Sequence, residues 1–297
     1  MPTRTWATLS VTRTTGTMGG VEKPLLIASD VDGTLLDAYE RLSPRTVAVL
    51  RRAAEDGVPI VLASGRPPRW IPAVASAAGL TGYAVCANGA VLYDIGNDRV
   101  VEVNGLLQPS LLTEVVHEVE KALPGCGFAA ERIGRRAIDP GVRNLVVEHS
   151  YRNPWGDGEG LRAPRAEVTG HPAMKLLVSR PGMSSDEMAE AVRAVLDRSV
   201  DVTFSAGTGL IELAAHGITK ATGLAEVADR LDVPVDRVIA FGDMPNDLEM
   251  LRWAGHGVAM ANAHPVVRAA ADEITAPNTE DGVAQVLERW FYCADRY

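Results

Sequence analysis

Two aspartates one residue apart, Asp30 and Asp32, close a short apolar run, Leu25-Leu26-Ile27-Ala28-Ser29, and Gly33-Thr34 follows them. A run of that length bounded by turn formers predicts a buried strand. Residues i and i+2 of a strand project to one side. A strand ending near Ser29 therefore delivers both carboxylates, partly desolvated, to the crevice beyond its C-terminal edge, where open α/β sheets bind ligands. Like charges held close repel, and burial raises their proton affinity. A hard, oxygen-preferring cation such as Mg2+ relieves both costs. The competing reading is a helix cap followed by a surface turn, in which Asp and Gly are equally common.

Three further pieces have residues of matching chemistry. Ser64-Gly65-Arg66 follows the apolar run Pro59-Ile60-Val61-Leu62-Ala63 and precedes a helical pattern from Trp70 to Ala78. A serine between a strand and a helix start can offer its hydroxyl and free backbone N–H groups to an anion, or simply cap the helix. Gly217-Ile218-Thr219-Lys220 leads into a helical stretch from Gly223 to Leu231, and a cation near a helix start is electrostatically misplaced. Gly242-Asp243-Met244-Pro245-Asn246-Asp247 ends another apolar run, Arg237 to Phe241.

Together these residue types suit cleavage of a phosphate ester, which needs an in-line nucleophile, a cation on the non-bridging oxygens and an acid for the leaving oxygen. Asp30 is the candidate nucleophile, able to carry a phosphoryl group as an acyl phosphate. Asp32 is the candidate acid and base. Asp243 completes a metal shell from a second strand end, and Asp247, one helical turn on, orients metal-bound water. Ser64 and Lys220 neutralise and position the phosphate, the lysine as a point charge.

Length and composition bound the alternatives. The 297 residues suffice for about two domains. The chain is 46% apolar and 23% charged, as in soluble globular proteins. A net charge of −9 argues against nucleic acid as a partner, because phosphate backbones select basic surfaces. Cys86, Cys126 and Cys293 are far apart and odd in number, which suggests reduced thiols in a cytoplasmic protein and neither a disulfide framework nor a zinc site. No apolar run approaches the roughly 18 residues of a membrane span. Residues 1–20 are rich in Thr and Gly without an apolar core, and are expected to be a disordered tail, with a second candidate start at Met18.

Stepping along the chain, Ser43-Pro44 opens a helix that Gly57 closes. Tyr83 to Ala87 is a third strand, with Val91-Leu92-Tyr93 returning beside it. Alternating strands and helices predict a parallel sheet with crossover helices. From about Val103 the texture changes: a helix over Leu111–Leu123, a Gly-, Pro- and Arg-rich stretch over 124–172, and strands at Met174–Ser179 and Val200–Ser205 around a helix from Ser184 to Arg198. The expected organisation is a core of residues 21–103 and 211–297 interrupted by an α+β insertion over 104–210. Within that insertion Arg132, Arg135, Arg136 and Arg143 are the basic residues available to the crevice, and surface arginines are ordinarily just solvated.

The pattern resembles the haloacid dehalogenase superfamily, specifically its Cof-like type IIB sugar-phosphatase branch. The resemblance rests on Asp30-Val-Asp-Gly-Thr-Leu, Ser64-Gly-Arg, Lys220 and Gly242-Asp-Met-Pro-Asn-Asp, with Asn88-Gly-Ala and Val258-Ala-Met-Ala-Asn262-Ala in support. It covers about 24–93 and 211–291; in the insertion only length and placement match. It implies a Rossmann-like parallel-sheet core with an inserted C2B-type α+β cap. It also implies Asp30 as nucleophile and Mg2+ ligand, Asp32 as acid/base and as a ligand through its backbone carbonyl, and Asp243 as a ligand supported by Asp247. Ser64 and Lys220 then bind phosphate, and Asn246 the phosphate or the substrate. Ala261 departs from the glycine usual before the asparagine in that branch, which is expected to alter only the loop. The implied activity is a Mg2+-dependent phosphatase of small phosphorylated metabolites, sugar phosphates above all, acting without nucleic acid or membrane partners. A sugar phosphomutase of the same fold and, in another class, a receiver-like phospho-accepting regulator are the rivals. Neither substrate nor oligomeric state is legible.

Overall fold

The computed structural model describes residues 22–152, 160–205 and 207–291. The tail expected over residues 1–20 and Cys293 lie outside the described residues. Strand β1 (Leu26–Ser29) is wholly buried and leads by way of α1 (Pro44–Glu55) to β2 (Ile60–Ala63), α2 (Ile71–Ala78) and β3 (Tyr83–Cys86). The Ser43 side chain caps α1 by accepting the Thr46 N–H, and Pro44 occupies the first turn, where no N–H is needed. Strands β4 (Val91–Asp94) and β5 (Arg99–Val103) fold back antiparallel beside β3.

The insertion runs through α3 (Pro109–Ala122), β6 (Gly127–Glu131), β7 (Leu145–Val147), β8 (Leu161–Arg162), α4 (Arg165–Thr169), β9 (Lys175–Ser184), α5 (Ser185–Arg193), β10 (Val200–Thr203) and β11 (Thr208–Ala215). Ser184 and Glu187 form a reciprocal capping box at the start of α5. That cap ends β9 and starts the helix at one residue, and α5 stops at Arg193 instead of Arg198. The six strands order as β10-β11-β9-β6-β7-β8. The Gly-, Pro- and Arg-rich stretch 124–172 supplies three of these strands and a short helix. The boundary expected at 211 falls inside β11, whose whole length pairs within this sheet.

The chain then returns through α6 (Lys220–Arg230), β12 (Val238–Gly242), α7 (Leu248–Trp253), β13 (His256–Ala259), α8 (Pro265–Ala270), β14 (Glu273–Ile274) and α9 (Gly282–Leu287). The eight-stranded sheet orders as β14-β13-β12-β1-β2-β3-β4-β5, parallel from β14 to β3. From β1 the chain steps outward to β2 and β3, then returns on the other side of β1 as β12. The strand order therefore reverses between β1 and β12, the place where such sheets bind ligands. This α/β architecture, a Rossmann-like parallel core carrying an inserted second sheet, agrees with the expected fold class. Among the described residues no helix is long and apolar enough to cross a membrane. Cys86 and Cys126 are buried free thiols.

Candidate active site

Adjacent strand ends bring the acids together. Ser29 pairs with Phe241 in register, and the Asp30 N–H donates to the Phe241 carbonyl at 2.9 Å, so Asp30 sits beside the turn bearing Asp243. Gly33 has a φ of +76°, a left-handed conformation that suits glycine, and a Cβ there would collide with the Asp243 carboxylate. Thr34 donates its hydroxyl to Asp243 Oδ1 at 2.8 Å, and the His264 N–H holds the Asp243 carbonyl. Asn262 donates to the Gly33 carbonyl at 2.9 Å, so the loop carrying Ala261 still clasps the one after β1.

Lys220, the first residue of α6, is fully buried. Its Nζ donates to Asp30 Oδ1 at 2.5 Å and to Asp247 Oδ1 at 2.7 Å. Asp247 also accepts the backbone N–H groups of Asp243 and Met244 on Oδ2. Both of its oxygens are engaged, and it fastens the Asp243 turn to Lys220. The glycine ahead of the lysine's docking site is equally constrained: Gly89 (φ +107°) lies so close to Thr219 that a Cβ would strike the Thr219 carbonyl.

Carboxylate oxygens of Asp30, Asp243 and Asp247 lie within 4.8 Å of one another. Three carboxylates against one ammonium leave two negative charges in excess, the charge of one divalent cation. Burial pushes the Asp30 carboxyl well above its ordinary value; Lys220 pulls it down while Asp247, Asp243 and Asp32 add to the rise. Burial and Asp247 push Asp243 up to about 7, against the Thr34 hydrogen bond and Lys220. Burial pulls Lys220 down, but Asp247 and Asp30 outweigh it and raise it. A buried, oxygen-only, doubly negative set fits a hard divalent cation.

Asp32 and Ser64 line the same cavity of about 470 Å³ as Asp30. The Asp32 side chain is 48% exposed, outside the metal-binding group, and Arg66 grips it with both Nε and Nη2 at 2.8 and 2.6 Å. The charge beside Asp32 is thus neutralised by a guanidinium from the next strand end. No helix starts at Ser64. The helical pattern expected from Trp70 is met by a 3-10 turn over Pro68–Trp70 that runs into α2 at Ile71, and the Ser64 hydroxyl accepts the Arg66 N–H at 3.0 Å.

The comparisons with known proteins bear on this arrangement. A family model of haloacid dehalogenase-like hydrolases matches residues 27–287. The chain belongs to the haloacid dehalogenase-like hydrolases. It is 31% identical over 280 residues to 5-amino-6-(5-phospho-D-ribitylamino)uracil phosphatase of Bacillus subtilis, covering 91% of this chain and 98% of that one. A phosphoglycolate phosphatase of Methanothermobacter thermautotrophicus is 28% identical, with 89% and 97% covered. A haloacid dehalogenase-like hydrolase structure from Bacteroides thetaiotaomicron superposes with a TM-score of 0.68 at 28% identity, covering 89% of this chain and 98% of that one.

Within this haloacid dehalogenase-like hydrolase, the expected site residues Asp30, Asp243, Asp247 and Lys220 meet in one cluster. Asp32, Ser64 and Asn246 line the cavity beside it. Asn246 donates to Asn88 Oδ1 at 3.0 Å, while its own carbonyl oxygen is buried without a partner. Sequence reasoning missed the rest of this chain of contacts. Asn88 donates to Glu212 at 2.8 Å; Glu212 also accepts from Lys175 and Ser205; Lys175 reaches the Gly65 carbonyl at 2.8 Å. Glu131 joins through Arg69 at 2.9 Å. These bonds tie strands β6, β9 and β11 of the insertion to the loops after β2 and β3. None of Arg132, Arg135, Arg136 and Arg143 lines the cavity; the insertion contributes the polar residues Glu131, Tyr151, Lys175, Ser205 and Glu212 beside Leu145 and Leu177. The signal that could have found them is a lone charged residue in an otherwise apolar strand.

Proposed function

We propose that the protein is a phosphatase of small phosphorylated metabolites, sugar phosphates among them, acting in the cytoplasm with Mg2+ and through a phosphoryl group carried by Asp30. One observation carries the reading: Asp30 and Asp243 stand on neighbouring strand ends at the sheet's reversal point, with Lys220 bridging Asp30 to Asp247. Asp247 has both oxygens engaged, so Asp30 and Asp243 are the carboxylates free to ligate Mg2+ directly, joined by the Asp32 carbonyl. Bound there, Mg2+ supplies positive charge that offsets the non-bridging oxygens of the phosphate.

The steps follow from the residues. Lys220 holds Asp30 Oδ1, which leaves Oδ2 to attack phosphorus in line. The Oδ2–P bond forms as the ester P–O bond breaks, and Asp32 passes its proton to the departing oxygen. Asp32 must leave Arg66 to do so, and the arriving phosphate dianion is a competing partner for that guanidinium. Water then attacks phosphorus, Asp32 takes its proton, and the Asp30 oxygen leaves, releasing inorganic phosphate. Ser64 and Asn246 border the phosphate, and the insertion acts as a cap that shields the reaction from bulk water.

Asp30→Asn keeps the shape and removes the nucleophile. Phosphate release from p-nitrophenyl phosphate with Mg2+ is expected to fall on the order of 10³-fold or more; turnover near the wild-type rate overturns the reading.

A further inference from the structure

The acidic cluster and the loops beside it are held by different parts of the chain. The donors to the carboxylates of Asp30, Asp243 and Asp247 described above all come from the core: the Lys220 ammonium, the Thr34 hydroxyl and the backbone N–H groups of Asp243 and Met244. The loop Ser64-Gly65-Arg66 is fastened through its three carbonyls. Ser64 accepts the Asn88 N–H at 3.1 Å and Arg66 the Ala87 N–H at 3.0 Å, both from the loop after β3. The Gly65 carbonyl between them accepts Lys175 Nζ at 2.8 Å, a donor from the insertion.

That bond reaches the Ser64 hydroxyl by a short path. The Gly65 carbonyl and the Arg66 N–H belong to one planar peptide unit, so fixing the first fixes the second. The Arg66 N–H donates to Ser64 Oγ at 3.0 Å, which leaves the hydroxyl's own hydrogen to be given elsewhere. Lys175 is itself aimed by Glu212, on the neighbouring strand β11, in a buried ion pair at 2.9 Å. The same Glu212 oxygen accepts the Asn88 amide at 2.8 Å, and Asn88 accepts the Asn246 amide at 3.0 Å. One carboxylate of the insertion thus governs the loops after β2, β3 and β12 together. Gly65 lies directly on this junction: a Cβ there would stand 3.2 Å from Asn88 Oδ1 and 3.6 Å from Glu212 Oε2. Replacing a buried ion pair by apolar residues is often neutral for stability. What such a pair supplies is placement, because its hydrogen bonds are short and directional.

We propose that Lys175 and Glu212 are positioning residues for phosphate binding: through Gly65 and Asn88 they set Ser64 and Asn246 against the phosphate, while the Mg2+ site forms without them. The inference rests on the phosphatase reading above. Both residues act through the loops they hold and not on the part of the substrate remote from its phosphate.

The test separates the two ligands by calorimetric titration, with Mg2+ alone and then with inorganic phosphate at saturating Mg2+, beside kcat/KM for p-nitrophenyl phosphate. Lys175→Met is expected to weaken phosphate binding about tenfold and to lower kcat/KM at least as much, with the Mg2+ dissociation constant within about twofold of wild type. Glu212→Gln keeps the shape and should show the same split at about threefold, which decides the matter if Lys175→Met fails to fold. A merely structural role is told apart by the pair Lys175→Met and Ser64→Ala. If Lys175 acts through the Ser64 hydroxyl, the double variant loses less phosphate affinity than the product of the two single losses. Unchanged phosphate affinity in the folded variants, equal weakening of Mg2+ and phosphate, or losses that multiply in the double variant overturn the positioning role while the phosphatase reading stands. A wild type that binds no phosphate and releases none from p-nitrophenyl phosphate overturns both.

Discussion

Two buried charged clusters, one at the strand ends beside the cavity and one in the insertion, are built from the same kinds of side chain and differ in charge balance. At the strand ends of the eight-stranded sheet, Asp30, Asp243 and Asp247 surround one ammonium, Lys220. At the opposite wall Glu131 and Glu212 share Lys175, and Arg69 adds a second cation. Burial acts to raise both Asp243 and Glu212, yet the outcomes oppose. Asp243 is pushed up to about 7 by burial and then Asp247. For Glu212, burial is outweighed by Lys175, Ser205 and Asn88, which hold it below its ordinary value. What decides is the number of donors per carboxylate. A surplus of acids marks an end built to receive a cation, and a matched set marks a wall that fastens two parts of the chain.

Removing each lysine tests this contrast most severely. Lys220→Met leaves three buried carboxylates without their cation and should cost about 3–5 kcal/mol in denaturant unfolding, with phosphate release lost. Lys175→Met leaves Glu131 with Arg69 and Glu212 with Ser205 and Asn88, so about 1–3 kcal/mol is expected. Equal losses would break the comparison. Next in size is the effect of Mg2+ on melting. At one hundred times its dissociation constant a native-state ligand adds about 2.7 kcal/mol, which raises the melting temperature by several degrees. Calorimetry should show that rise vanish in Asp243→Asn and persist in Glu212→Gln.

The smallest and sharpest effect is in pH. In protein stripped by a chelator, Asp243 binds its proton more tightly folded than unfolded, so its contribution grows as pH falls from about 8 toward the ordinary carboxylate value. Glu212 behaves oppositely: its contribution is complete above its ordinary 4.5 and is lost as pH falls through the lowered folded value. Denaturant midpoints measured against pH should lose the first trend in Asp243→Asn and the second in Glu212→Gln. A common trend in both variants would merge the two ends into one electrostatic class.

Legibility followed the same division. The catalytic end was readable because each residue closes or opens an element and the elements have plain signals: the apolar run before Asp30, the apolar run before Asp243, the misplaced cation Lys220. What it left out was local. The Asp32 side chain is gripped by a guanidinium from the neighbouring strand end, and spacing alone does not reveal Arg66's reach. The far wall was unreadable for a different reason. Gly127-Phe128-Ala129-Ala130-Glu131 lacks β-branched residues and looks like nothing in particular. Only register, with Glu131 opposite Lys175, turns scattered charges into a surface. The shared register of β9 and β11 also explains why a boundary drawn at 211 cut a strand.

The pairing of Ser29 with Phe241 has a consequence for the life of the molecule before it is complete. Asp30 meets Asp243 and Asp247 only once β12 lies beside β1, so a nascent chain still lacking β12 has the first aspartate and not the acidic cluster. The cluster therefore assembles only after the segments beyond the insertion emerge and slot in next to the first strand.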